Sequence, residues 1–212
     1  MGVFLSLFGV IGADSAAVER SIASYVLARG GTFRPDVATP EEPDVVIIAE
    51  NGLHTSVLYP QYFLEWDDVS RYLSAELRVP VFSLHIHDGD LWMFILFDSG
   101  LEVTQFNPIP DYWEALDPRE RARWLGDAEA VAARIPGIAP DSISGYFVEW
   151  DDATLGMEDS PKAYPDDEFS IGNCWQMIDF MRRIGLKYPL SENGPIDGVT
   201  YRLRLEQIDA SD

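Results

Sequence analysis

Between Val81 and Pro108 the chain reads VFSLHIHDGDLWMFILFDSGLEVTQFNP, three β-rich runs separated by Asp88-Gly89 and Asp98-Ser99-Gly100. Runs rich in β-branched and aromatic residues, joined by such turns, form an antiparallel meander. Residues 81–106 are therefore expected to be sheet, which fixes the fold class more firmly than any other part of the sequence. A two-residue loop at Asp88-Gly89 would set Ile86 opposite Leu91, Leu84 opposite Met93 and Phe82 opposite Ile95. A two-residue loop in the second hairpin would place Glu102 opposite Phe97, on the apolar face. A three-residue loop instead sets Leu101 opposite Phe97, and since a one-residue slip turns every side chain over, it is the expected register. Ser83, His85, Trp92, Phe94, Thr104 and Phe106 then share the other face, to be covered by a helix or to line a groove.

The flanking segments complete an α+β reading. Val3–Val10 reads as a buried strand, and Asp14 caps a helix reaching Ala28, ended by Gly30-Gly31. Residues 32–43 read as a loop. Asp44–Ala49 and His54–Tyr59 form a hairpin around Asn51-Gly52, and Val69, Tyr72, Leu73 and Leu77 mark a helix over 67–78. Asp117, Asp127 and Asp141 are helix caps within a helical segment at 111–150, an insertion or appendage of a single domain spanning 1–212. An acidic loop at 151–170 precedes a helix from Asn173 to Ile184, and Val199–Ile208 alternates as a late strand. The expected fold is a mainly antiparallel sheet packed against helices.

Charge narrows the function classes. The chain carries 36 acidic and 15 basic residues among 212, a net charge of −21. Such an excess repels nucleic-acid phosphates and anionic membranes and favours basic partners. No apolar run reaches the length of a membrane span, and the apolar start lacks the basic residues of a signal peptide. The single cysteine, Cys174, excludes an internal disulfide framework and points to a reducing cytoplasm. No phosphate-binding loop, dinucleotide fingerprint, GxSxG or CxxC occurs, and no cofactor is expected.

Three groups of residues could carry function. Tyr112, Trp113, Trp150, Asp151 and Asp152 combine aromatic and acidic side chains, the composition of a protein-binding patch. His85 and His87 share a strand face with Asp90 across the turn, a His/His/carboxylate arrangement that could hold a metal. Further histidines normally accompany such a site and only His54 remains, so no bound metal is expected. Cys174 lies where a helix N-terminus would stabilise a thiolate, and His54 begins a strand. With HTSVLY on a strand and NCW opening a helix, the order His before Cys resembles circularly permuted papain-like thiol hydrolases. The resemblance covers fewer than 20 residues and implies a Cys174 nucleophile with a His54 base. The leading expectation is a cytoplasmic, non-enzymatic module that binds a basic or mixed-charge protein, in its most concrete form an immunity or inhibitor protein. A Cys174/His54 hydrolase or acyltransferase is the alternative.

Overall fold

The run LSLFGVI sends alternate side chains into two apolar layers, which makes it a central strand. In the computed structural model, which describes residues 2–39, 42–60, 63–151, 160–190 and 198–205, this strand is β1 (Leu5–Ile11). It pairs antiparallel with β4 (His54–Leu58) on one side and β5 (Pro80–His87) on the other. With β2 (Thr32–Pro35), β3 (Val45–Asn51), β6 (Leu91–Asp98), β7 (Leu101–Phe106) and β8 (Val199–Arg204), the sheet runs β2-β8-β3-β4-β1-β5-β6-β7. Every neighbouring pair is antiparallel. The protein is an α+β fold dominated by an antiparallel sheet.

Both faces of the sheet are covered. Helices α1 (Ser15–Ala28) and α2 (Trp66–Leu77) bury Val18, Ile22, Val69 and Leu73 against Phe8, Val10, Val57 and Val81. The opposite layer contains α3 (Pro118–Arg123), α4 (Ala128–Ala132), two single 3-10 turns at 140–142 and 144–146, and α5 (Gln176–Arg183). Val131, Ile135, Ile143, Tyr146 and Trp150 join the same buried cluster as Leu7, Phe82, Leu84 and Phe94. The 111–150 segment thus helps to close the core. Phe180 is its hub, stacked on Phe94 at 5.3 Å and edge-on to Phe82 at 5.8 Å and Tyr146 at 5.6 Å. Gly9 lets Leu186 lie against β1, since a Cβ there would stand 2.1 Å from a leucine methyl.

The meander forms, but both of its hairpin registers differ from the expected ones. Residues 88–90 all leave the ladder, so Ile86 pairs with Trp92, Leu84 with Phe94 and Phe82 with Leu96. Asp88 and Gly89 adopt φ of 52° and 76°, and the Gly89 amide donates to the Val3 carbonyl at 2.9 Å. This register buries Trp92, Phe94 and Leu96 in the α5 layer, on the same face as Phe82 and Leu84. The larger aromatic area outweighs the tighter turn. In the second hairpin the loop has two residues, Ser99 and Gly100 with φ of 52° and 80°, and Phe97 does pair with Glu102. An irregularity between Leu96 and Phe97 then brings Thr104 opposite Leu96. Edge position and this bulge keep Glu102 out of the core, where it accepts from Arg123 Nη2 at 3.0 Å.

Smaller departures also have local causes. Residues 32–35 form β2 within the expected loop, because β8 offers a free edge and Phe33 stacks on Tyr201 at 4.8 Å. Helix α5 starts at Gln176, and Asn173 instead caps the preceding turn by accepting from the Trp175 amide at 2.9 Å. Among the described residues of the acidic segment, Asp167 is buried and fully engaged. It accepts from the Tyr146 hydroxyl at 2.7 Å, from Arg183 at 3.0 Å and from the Tyr164 amide at 2.9 Å. Asp179, also buried, accepts from the Glu168 and Phe169 amides and from Arg182. Burial of a carboxylate is tolerated only with this kind of satisfaction.

Two stability predictions follow from this packing. Phe180→Ala should lower the unfolding free energy by about 3–5 kcal/mol, the usual cost of emptying a large buried aromatic site, read as a shifted urea midpoint. At the β2–β8 edge, Arg202 binds Asp36, Glu42 and Asp44. Hydrogen bonds from Arg202 to Asp36, from the Thr39 amide to Glu42 and from Arg204 to Asp44 hold all three carboxyls below their ordinary values. Depressed folded values mean stability that is present above the ordinary range and lost as pH falls through the lowered ones, below 3.8 for the two aspartates. Exchange protection of β8 amides should therefore hold at about pH 6 and drop selectively at about pH 2.5.

Candidate functional site

Polar residues interrupt otherwise apolar strands at Ser6, Ser83 and His85, and the sheet brings them together. The β1–β5 register sets Ser6 directly opposite His85. Helix α2 begins beside them, so that Asp67, in its first turn, reaches the same imidazole. His85 is only 4% exposed. Its Nδ1 lies 3.0 Å from Ser6 Oγ, and its Nε2 lies 3.3 Å from both Asp67 Oδ1 and Ser83 Oγ. The Trp66 ring tilts over the imidazole at 4.9 Å.

The proton positions follow from the donor inventory. Burial raises the Asp67 carboxyl, but hydrogen bonds from His85, Ser83 and Trp66 outweigh it and hold the group below the usual range. An ionised carboxylate can only accept. In the neutral imidazole the proton therefore sits on Nε2, leaving the Nδ1 lone pair to accept from the Ser6 hydroxyl. Carboxylate, imidazole and hydroxyl form one directed chain.

Ser6 and His85 are among the residues lining a cleft of about 390 Å³ where β1 begins and β4 and β5 end. Its walls are mostly apolar, with Phe4, Tyr59, Phe63, Leu64 and Trp66 prominent. An apolar concavity with a few converging polar groups is the usual form of a small-ligand site. The rim is apolar too, for Phe4 is 56% exposed, Leu64 78% and the adjacent Trp113 52%.

Residues singled out from the sequence fall into different places. His85 and His87 do share a face, but His85 is engaged by Ser6 and Asp67, and His87 packs against the rings of Phe4, Tyr112 and Trp113 at 5.0–5.6 Å. Asp90 accepts from the Tyr112 hydroxyl at 2.6 Å, which raises that phenol to about 12. Among the described residues no group of three or more His, Cys, Asp or Glu side chains could hold a metal. Tyr112 and Trp113 therefore border the cleft end of the molecule through His87. Trp150 is 5% exposed and belongs to the core, Asp151 is exposed beside it, and Asp152 lies outside the described residues.

Cys174 and His54 are not brought together. His54 pairs with Ile11, accepts from the Gly12 amide at Nδ1 (3.1 Å) and contacts the turn at Gly185; burial lowers its pKa. Between that turn and Cys174 stand the eight residues of α5, about 12 Å of helix at its standard rise. Proton transfer requires hydrogen-bond reach. Cys174 is buried, and burial first, with the Asp90 charge adding to it, pushes its thiol up to about 11. A thiol so placed stays protonated at neutral pH.

Sequence reasoning missed Ser6 and Asp67. The single polar residue inside LSLFGVI was the available signal, but its partner lies 79 residues away and only the β1–β5 pairing reveals it. Comparison with protein families, with curated proteins and with solved structures gave no match. The thiol assignment makes a direct prediction. The folded protein should show no iodoacetamide adduct at neutral pH over the time in which the urea-unfolded chain is fully alkylated, as read by intact mass.

Proposed function

We propose that the protein is a binding module and that the cleft is where a partner engages it. The occupant is an apolar side chain carried on a basic protein segment. The observation that carries this reading is an apolar concavity with Phe4 and Leu64 exposed at its edge, and Trp113 exposed beside His87, in a chain of net charge −21. Exposed aromatic anchors beside a pocket are the usual centres of protein interfaces. Acidic surroundings add long-range attraction for a basic partner and repel anionic ones. Asp67, Asp68, Asp88 and Asp90 supply such charge on the elements that form the cleft end. An immunity or inhibitor role towards a basic protein such as a nuclease is the most concrete form of this function. The lone buried cysteine suits a reducing cytoplasm. The Cys174/His54 pair supplies no competing reading, because the two residues lie apart and the sulfur is buried.

The test uses two synthetic peptides, one with a phenylalanine flanked by lysines and one with alanine in its place. Intrinsic tryptophan fluorescence should report binding of the first at least about tenfold tighter than the second, a difference of about 1.4 kcal/mol. Phe4→Ala together with Leu64→Ala should erase that difference, and added salt should weaken both peptides alike. Equal affinity for the two peptides would mean that only diffuse charge attraction operates, and the cleft would lose its assigned role.

A further inference from the structure

We propose that the cleft also has an activity: Ser6 is a nucleophile towards carboxylic esters of apolar acyl groups, with His85 as its base. The inference rests on the reading that the cleft accepts apolar groups and adds what happens to one that carries an ester. Three observations support it. Ser6 is one of the residues that line the cleft. Its Oγ lies 3.0 Å from His85 Nδ1, within the range a general base requires. The far ring nitrogen faces the Asp67 carboxylate at 3.3 Å, which fixes the tautomer that leaves Nδ1 free to accept a proton. A hydroxyl, a base and a group orienting that base are the parts of an activated nucleophile, recognised by geometry and role on any fold.

The chemistry balances with water as the only co-reactant. Ser6 Oγ attacks the ester carbonyl carbon while its proton passes to His85 Nδ1. The carbon–oxygen bond to the alcohol then breaks, and the alcohol leaves with that proton. Water adds to the acyl-serine with His85 again taking a proton, the Oγ–acyl bond breaks, and the proton returns to Ser6. The products are the alcohol and a carboxylic acid. A neutral ester enters freely, whereas the ionised acid is repelled by the net charge of −21, which favours its release. Asp67 is a positioning residue that acts through His85.

The experiment treats the full chain with an alkyl fluorophosphonate, which transfers phosphorus to an activated serine as fluoride departs. Nile red fluorescence, measured in parallel, reports an open apolar cleft. One adduct per chain is expected, localised by fragmentation to Ser6 rather than Ser15 within the tryptic peptide that ends at Arg20. Ser6→Ala should abolish the adduct, and His85→Gln should slow labelling by about a hundredfold, with a urea unfolding transition confirming that each variant is folded. Asp67→Asn should slow it by at least about tenfold while Asp67→Glu restores much of the rate, a rescue that a purely structural role would not produce. Dye binding without phosphonylation would overturn the nucleophile and leave the cleft as a binding site. Labelling at another residue that survives Ser6→Ala would overturn it as well. Failure of both dye and fluorophosphonate would remove the open cleft, and with it both this inference and the binding reading.

Discussion

The pairing of β1 with β5 is the constraint on which the rest of this structure depends. Leu5 opposite Ile86 and Val10 opposite Val81 send Leu7, Leu84 and Phe82 into the α5 layer, and Phe8 and Val81 into the α1/α2 layer. A shift of one residue would turn both sets over, exposing each core to the wrong cover. The same register sets Ser6 against His85. Core and candidate site are therefore specified by one set of backbone hydrogen bonds rather than by separate devices.

That shared origin explains why a polar group can sit so deep. An imidazole at 4% exposure would cost free energy if unpartnered, yet both of its nitrogens are engaged by Ser6, Asp67 and Ser83. Helix α2 contributes in two ways, since Val69 and Leu73 seal the sheet while Asp67, in its first turn, reaches the ring. On the opposite face the buried carboxylates Asp167 and Asp179 perform a different task. They gather backbone amides and the arginines of α5, tying residues 164–169 to the helix whose Phe180 centres the aromatic core.

The sequence made some of this legible and hid the rest for identifiable reasons. Alternation and turn residues located β3, β4 and the meander, and the caps Asp14, Asp117 and Asp127 all accept from backbone amides at the helix starts where they were expected. Registers were less legible, because local turn preference competes with burial of aromatic area. Trp92 and Phe94 settled that contest through contacts with Phe106 and Phe180, which no local pattern contains. Strand β2 was hidden because β8, with which it pairs, lies at the other end of the chain. His85 was visible as a candidate, but for a metal in company with His87 and Asp90. Its actual partners come from β1, α2 and its own strand, and only the folded sheet assembles them. The aromatic signal was divided likewise, with Trp113 at the surface and Trp150 in the core.

The chain of hydrogen bonds runs from the Ser6 hydroxyl through the His85 imidazole to the Asp67 carboxylate. Nitrogen-15 NMR of the imidazole groups tests it most directly, since the chain has three histidines and His85→Gln assigns the resonance. The expected result is a ring proton on Nε2, with Nδ1 showing the shift of a hydrogen-bond acceptor. A proton on Nδ1 instead would make Ser6 an acceptor, reverse the chain and rule out His85 as the base for Ser6.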